Sequence, residues 1–380
     1  MFYLDNAATT SVLPAVLEKS LPYLTQHFGN PSSIHRLGVD AARSVKSVRQ
    51  IFARIFHVYR ENIIFCGSGT EANHLALWGI SQSSNLKGNQ IIVSSIEHPS
   101  VLRTAEFLSL RGFQVDFVRS LPDGRTDISH LETLLSKETR LVSCMAVNNE
   151  IGTQQPVHQI GQLVKEKNSS TLFHVDAVQG FTKIPLRMKE MKIDLLSISG
   201  HKIGAPKGIG ALVSAGKIPL SPVVLGGGQE QGFRSGTENV FGIIAFGEAA
   251  CLGEKQRHYK NEALIKYKNR WLVFLKEKCP RVKIYQSPYV LPHYLNISVP
   301  PIPAEVFLHH LEAEGIFVST GSACSSKKTQ ISHVLKAVGL DSDVAKSIIR
   351  LSFSEQNLEE NQDELFRKFS SAVQQLEMLL

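Results

Sequence analysis

Lys202 is the residue of this chain best placed for covalent chemistry. It follows the apolar run Leu195-Leu-Ser-Ile-Ser-Gly-His201 and precedes the glycine-rich stretch Ile203-Gly-Ala-Pro-Lys-Gly-Ile-Gly210. Ligands bind at strand ends in open α/β sheets. A lysine desolvated there gives up its proton readily and can condense with an aldehyde as a Schiff base. Most lysines are solvated surface residues, so the neighbours decide. Ser199 and His201 add a hydroxyl and an imidazole beside it. Upstream, Phe173-His-Val-Asp176-Ala-Val-Gln179 runs apolar into a carboxylate. An aspartate at such a strand end is costly unless paired or wet, a need that a cationic ring nitrogen meets. Capping the following turn is the plainer alternative.

Three further sites can take part. Cys66-Gly-Ser-Gly69-Thr70-Glu71 follows one strand candidate and opens a predicted helix, Ala72 to Ile80. Its glycines permit close backbone approach, and a helix N-terminus offers unpaired N–H groups to a phosphate. A simple strand-to-helix turn capped by Ser or Thr fits the same residues. His98, in Ile96-Glu-His-Pro99, follows a second strand, where its ring could stack on a ligand and shuttle protons, or be structural. Cys324 lies in Ser319-Thr-Gly-Ser-Ala-Cys-Ser-Ser-Lys-Lys-Thr-Gln330, a small, polar stretch expected to be an exposed, mobile loop. Lys327 and Lys328 favour its thiolate, although the sequence around it also suits an inert surface thiol. The other four cysteines are expected to be structural: Cys66 and Cys144 in apolar strands, Cys251 in a helix, Cys279 before a proline.

The elements that must position these groups are legible as alternation. From about Glu61 to Gly216, short Val- and Ile-rich runs alternate with amphipathic stretches, as parallel strands joined by crossover helices do. The strands are expected at 62–66, 90–95, 114–118, 141–147, 172–175, 195–199 and 210–213, with crossover helices at 129–136 and 158–167. After the polar segment Gly226 to Gly236, a long helix is predicted over 240–271. Strands at 282–285 and 295–298 and a helix at 304–314 then suggest a smaller α+β domain. The expected division is an N-terminal segment, 1–15, packing on the small domain; a large ligand-binding domain, 16–260; and a small domain, 261–380, carrying the Cys324 loop.

Composition narrows the class. With 380 residues, 43% hydrophobic and 20% charged, the chain is long enough for two domains and reads as an ordinary globular protein. Its N-terminus lacks a basic region followed by an apolar stretch, no run has the length of a membrane span, and the odd, scattered cysteines include no CxxC pair. A soluble protein of a reducing cytoplasm is expected. The net charge of +7 is dispersed along the chain, so no direct nucleic-acid partner is expected. Nor is a metal site, because His35, His57 and the others lack ligand spacing.

Taken in order, the segments resemble the cysteine desulfurases of the class V aminotransferase group, within the fold-type I pyridoxal 5'-phosphate (PLP) enzymes. The resemblance runs from Leu4-Asp-Asn-Ala-Ala-Thr-Thr10 to Arg350-Leu-Ser-Phe. Between them stand Phe28-Gly-Asn-Pro-Ser-Ser-Ile-His35, Ser68-Gly-Thr-Glu-Ala-Asn73, Glu97-His98, Val147-Asn-Asn-Glu-Ile-Gly152, His174-Val-Asp-Ala, Gly200-His-Lys202, Gly226-Gly-Gly-Gln-Glu, Arg234-Ser-Gly-Thr237 and Ser319-Thr-Gly-Ser-Ala-Cys324-Ser.

The resemblance implies a mainly parallel seven-stranded sheet between helices plus a smaller α+β domain. It implies that Lys202 holds PLP and moves protons, that Asp176 pairs with the ring nitrogen, and that His98 stacks on the ring. Gln179 and Asn149 would face the ring hydroxyl or the substrate. Gly69, Thr70, Ser199 and His201 would hold the phosphate, together with Thr237 of a second copy in a homodimer, and Arg350 would clamp the substrate carboxylate. Cys324 would take sulfur from L-cysteine as a persulfide, releasing alanine, and pass it to an acceptor such as an iron-sulfur scaffold or a thiolation protein. The loop resembles the long form of desulfurases serving iron-sulfur assembly, whereas the tail from Ala372 to Leu380 does not match the extended C-terminus of the housekeeping branch. A class V aminotransferase, a selenocysteine lyase, and a sulfur-carrier scaffold without catalysis are the competing readings.

Overall fold

Strands that are apolar on both faces must lie between layers of helix, because neither face tolerates water. The computed structural model describes residues 1–320 and 331–378, and builds this sandwich from them. The chain begins with β1 (Phe2–Tyr3), α1 (Pro14–Ser20), α2 (Pro22–Thr25) and α3 (Arg36–Phe56). There follow β2 (Ile63–Cys66), α4 (Gly69–Ser81), β3 (Gln90–Ser94), α5 (Pro99–Leu110), β4 (Gln114–Val118), α6 (Ile128–Leu134), β5 (Thr139–Ser143) and α7 (Val157–Lys167). Next come β6 (Leu172–Asp176), β7 (Leu195–Ser199), β8 (Gly210–Ser214) and the long α8 (Val240–Lys278). The remainder comprises β9 (Lys283–Tyr285), β10 (Tyr294–Ser298), α9 (Ala304–Ala313), β11 (Ile316–Phe317), α10 (His333–Ala337), α11 (Ser342–Ser347), β12 (Ile349–Ser352) and α12 (Gln362–Glu377).

The seven strands form one sheet in the order β2-β8-β7-β6-β5-β3-β4, parallel except for β8, which runs against both neighbours. The mainly parallel α/β architecture expected from the sequence is therefore present. β2, β3, β7 and β8 are buried along their whole length, whereas the edge strand β4 is largely solvent-facing. One face of the sheet packs on Phe52 and Phe56 of α3, Ile160 and Val164 of α7, and Ile243 and Phe246 of α8. The other packs on Leu75, Leu77 and Ile80 of α4 and on Val101, Ala105 and Leu108 of α5.

A further core lies around Trp271 in the C-terminal part of α8, with Leu295 and Ile297 of β10, Phe307 of α9, Leu351 of β12 and Phe369 of α12. The N-terminal residues Phe2 and Leu4 join it, and β1 pairs in parallel with β11. β10 lies between β9 and β12 in a small antiparallel sheet.

Two elements differ from the sequence reading. The run read as 141–147 is regular strand only to Ser143; Cys144 and Ala146 still donate to the His174 and Asp176 carbonyls of β6 (3.1 and 2.8 Å), and Asn148 then begins a tight turn in which the Gly152 N–H donates to its carbonyl (3.0 Å). α8 continues past Trp271 to Lys278, since no helix breaker precedes Pro280.

His174 sits wholly buried in β6 and bridges its neighbours: Nδ1 is 2.9 Å from Ser143 Oγ on β5 and Nε2 is 2.9 Å from Ser197 Oγ on β7. Burial pulls its pKa from 6.5 down to about 3. The unfolded chain therefore binds the proton that the folded one refuses between those values, and stability falls as pH drops below 6.5. Denaturant titrations should show a loss of about 2 kcal/mol from this residue between pH 7 and pH 5. His174→Asn should flatten the pH dependence by that amount even though it lowers stability at pH 7.

Candidate active site

At the carboxyl ends of β6 and β7 a cavity of about 640 Å³ opens, lined by residues of the sheet, α4, the first residues of the chain and the segment from Ile331. Lys202 lies in the turn that follows β7. Its Nζ donates to the carbonyls of Ala7 (2.6 Å) and Ala8 (2.7 Å). The amine is thus presented to the cavity by the N-terminal segment.

Asp176, the last residue of β6, accepts from the Val178 N–H (2.9 Å) and from Asn73 Nδ2 (2.7 Å). It caps the following turn, as the plainer sequence reading expected, and lines the cavity as well. His98 likewise does two things. It caps α5, its Nδ1 accepting from the Ser100 N–H (3.1 Å), and its ring lines the cavity. That contact places the proton of the neutral ring on Nε2. Burial pulls the His98 pKa down; Asp176 opposes this, while Lys202 and His333 add to it.

Gly69, Thr70, Ser199 and His201 all line the cavity. Gly69 and Thr70 form the first turn of α4, which Ser68 caps by accepting from the Glu71 N–H (3.1 Å). A Cβ on Gly69 would come within 2.6 Å of Val178 Cγ2 and 3.2 Å of Ser199 Cβ, so a side chain there would crowd the cup. The buried Ser199 Oγ has no hydrogen-bond partner among the described residues. His201 is held by Thr9 Oγ1 (3.1 Å from Nδ1), and burial, helped by Lys202 and Lys207, lowers its pKa to about 4.

On the opposite side Arg350, in β12, is buried; it donates to the Asn149 carbonyl (2.6 Å) and to Asp5 Oδ1 (2.7 Å). Gln179 accepts at Oε1 from Tyr294 Oη (2.6 Å) and Lys183 Nζ (3.0 Å), and donates from Nε2 to the Ala7 carbonyl (2.8 Å). Thr237 is exposed and is not among the cavity-lining residues; its segment is anchored by Arg234, which pairs with Glu71 at 2.8 Å. Cys324 lies outside the described residues. The described residues on either side of it converge here: the Ser319 backbone exchanges hydrogen bonds with that of Arg350, and Ile331, Ser332 and His333 line the cavity. Cys66 and Cys144 are buried, and burial pushes both thiols far up, consistent with inert structural residues.

The sequence reading gave no role to several residues of this wall. Asn73 stands one helical turn beyond Gly69, a spacing that could have singled it out. His333 offers no local signal; only folding brings its Nε2 to the Glu97 carbonyl (3.0 Å). Glu97 itself is fully buried beneath the cavity, accepts from the Met145 N–H, and is pushed well above the usual carboxylate range by burial and by Asp176.

An amine, a carboxylate at a strand end and an oxyanion cup at a helix N-terminus suit a phosphorylated aldehyde with a basic ring nitrogen. Residues 2–365 match the model of the aminotransferase class-V family. The chain is 38% identical to the cysteine desulfurase IscS of Clostridium botulinum over 98% of its own length and 94% of that protein's. It is equally identical to the cysteine desulfurase IscS of Methanosarcina thermophila, over 98% and 92% respectively. The chain belongs to the aminotransferase class-V family, among its cysteine desulfurases. Among solved structures, a NifS-like protein superposes with a TM-score of 0.91 at 33% identity over all of both chains. The protein SspA in complex with cysteine superposes with a TM-score of 0.82 at 32% identity, over 93% of this chain and 99% of that one.

Pyridoxal 5'-phosphate is the cofactor of this desulfurase family, and the residues present fit it. The orphaned Ser199 hydroxyl gives the sharpest check. Removing a buried hydroxyl that lacks a partner does not destabilise the apoprotein, whereas losing a donor to phosphate weakens the complex. Ser199→Ala should leave the apoprotein's melting temperature unchanged or raised, and should weaken PLP binding about tenfold in an absorbance titration.

Proposed function

We propose that this chain is a PLP-dependent cysteine desulfurase that converts L-cysteine to L-alanine and carries the sulfur as a persulfide on Cys324. The observation that carries the reading is the convergence of Lys202, Asp176, His98 and Arg350 on one cavity, with the described residues flanking Cys324 at its wall. That the solved structure of the similar SspA is in complex with cysteine supports the choice of substrate.

When bound, the cofactor supplies an aldehyde for the substrate amine and a ring that withdraws electrons from the substrate α-carbon. The chain's residues do the rest. Asp176 Oδ2, steadied by Asn73, would accept a hydrogen bond from the protonated ring nitrogen. Gly69, Thr70, Ser199 and His201 would hold the phosphate, His98 would stack on the ring, and Asn149 and Gln179 would face the ring hydroxyl or the substrate. Arg350 binds the substrate carboxylate; its guanidinium has five N–H donors, and the Asn149 carbonyl and Asp5 orient the fork. Lys202 Nζ would hold the cofactor and, with substrate bound, would take the Cα proton and move it onward.

Cys324 then attacks the substrate sulfur as a thiolate. The new S–S bond forms as the Cβ–S bond breaks, the released electron pair is protonated at Cβ, and alanine leaves. Cysteine and an enzyme thiol thus become alanine and an enzyme persulfide, with no external oxidant or reductant.

The site is completed in a homodimer, where Thr237 of a second copy reaches the phosphate cup. Support for a covered surface comes from apolar side chains that water should not face, among them Ile34 (98% exposed), Leu225 (81%) and Phe28 (65%). Sulfur then passes to an acceptor such as an iron-sulfur scaffold. No helix among the described residues is long and apolar enough to cross a membrane, and cytoplasmic action suits a persulfide carrier. Residues 16–260 serve as the cofactor-binding domain and 261–380 as the small domain with the Cys324 loop, on which the segment 1–15 packs.

Cys324→Ala should stay yellow with bound cofactor but release neither alanine nor sulfide from L-cysteine under reductant, whereas the native protein releases both. Equal product release from the two proteins would replace the persulfide mechanism with a simpler lyase.

A further inference from the structure

The Gln179 side chain has four hydrogen-bonding valences, two lone pairs on Oε1 and two N–H groups on Nε2. Among the described residues, Tyr294 Oη and Lys183 Nζ take both lone pairs and the Ala7 carbonyl takes one N–H. A single N–H remains on a residue that lines the cavity. The orientation of the carboxamide is fixed chemically. A carbonyl only accepts, so Ala7 requires nitrogen on its side, which leaves the oxygen toward Lys183 and Tyr294. Tyr294 is fully buried, and burial pushes its phenol far up, which keeps it a donor to the same oxygen.

Lys183 follows β6 in Phe181-Thr-Lys-Ile184, is largely buried, and lies with its Nζ 5.6 Å from the centre of the Tyr294 ring. Neither the sequence motifs nor the roles assigned above include it. We infer that Lys183 is a positioning residue: it pins the Gln179 carboxamide with one N–H toward the cavity and, through its positive charge, strengthens that donor for an anionic oxygen on the bound ligand. The inference rests on the PLP reading, in which that oxygen is the ring phenolate.

The charged and titratable groups around Lys183 bear on its charge. Burial, then Lys202 from the turn after β7 and Arg350 from β12, lower its pKa to about 7, while Glu355 opposes them. Glu355 is itself shared with Lys260 of α8, at 2.5 Å. His293, just before β10, is held neutral by its own burial, with Lys183, Lys268 and Lys260 acting in the same direction. An anionic oxygen opposite Gln179 favours the charged lysine. Removing that charge disfavours the anion, so the ligand's oxygen then keeps its proton to higher pH.

The experiment is a pH titration of the visible chromophore of the holoprotein, for the native chain and for Lys183→Met, Lys183→Gln and Lys183→Arg. Both neutral variants should raise the chromophore's apparent pKa by about one unit, a tenfold shift, and Lys183→Arg should restore the native value. Lys183→Gln keeps a donor for Gln179, so a shift in Lys183→Met alone would confine the role to pinning and overturn the charge effect. Native titration curves from both neutral variants, or from the one that folds if the other does not, overturn the inference altogether. A native protein that binds no PLP overturns the underlying reading instead.

Discussion

The carbonyl of Ala7 is the point on which the site hangs. It accepts from Lys202 Nζ at 2.6 Å and from Gln179 Nε2 at 2.8 Å, and so fixes two functional side chains at once. A desolvated amine must be hydrogen-bonded somewhere, because an unpartnered polar group in a low-dielectric site costs more than the bond itself returns. A backbone carbonyl supplies such a bond. The N-terminal segment can offer that carbonyl only because it is anchored on both sides. Phe2 and Leu4 are buried in the core around Trp271, Asn6 Nδ2 donates to the Ser352 carbonyl (2.9 Å), and the Thr10 N–H donates to the His201 carbonyl (2.9 Å).

The same anchoring joins the two ends of the chain across the site. Asp5 lies within 2.7 Å of Arg350, and Ala7 N–H donates to Ser352 Oγ at 2.8 Å. A buried arginine without a partner would be strongly destabilising, so the Asp5 contact has a structural task before any substrate arrives. It also sets the guanidinium in register with Asn149, whose carbonyl takes a second N–H. Binding and folding therefore draw on one set of contacts. Any shift of the core around Trp271 against the sheet is felt at Arg350 and at Lys202 together.

Much of the sheet was legible because burial on both faces leaves a continuous apolar run with strand length, as in Leu195 to Ser199. The reversal of β8 was not, since direction has no residue signature; what turns the chain is the Lys202 loop itself. β1 and β11 are two residues each, too short for any periodicity, and they pair across more than three hundred residues. Among site residues, Lys202, Asp176 and Ser199 announced themselves as polar residues ending apolar runs. Lys183, Asn73 and His333 did not. Each lies in a stretch that is unremarkable by itself, and each acquires meaning only from a contact made by folding. The domain division read near residue 260 falls within α8, whose N-terminal part serves the sheet and whose C-terminal part serves the second core.

The balance of charge around the cavity follows from burial as much as from residue type. His201 and His98 are pulled toward the neutral form mainly by loss of solvent, and Glu97 is pushed toward its protonated form by the same cause. Asp176, Lys202 and Arg350 line the cavity together with Glu150, which Ser332 holds, and Asp5 pairs with Arg350. The protonated drift of Glu97 matters to that arrangement. A second anion behind Asp176 would raise the cost of keeping both charges buried. Glu97 is fixed by the Met145 N–H, whereas Asp176 has two donors of its own, Asn73 Nδ2 and the Val178 N–H. The sheet thus separates two carboxyl groups that the sequence places on equal terms: one is given N–H partners and a cavity to face, the other is closed into the core.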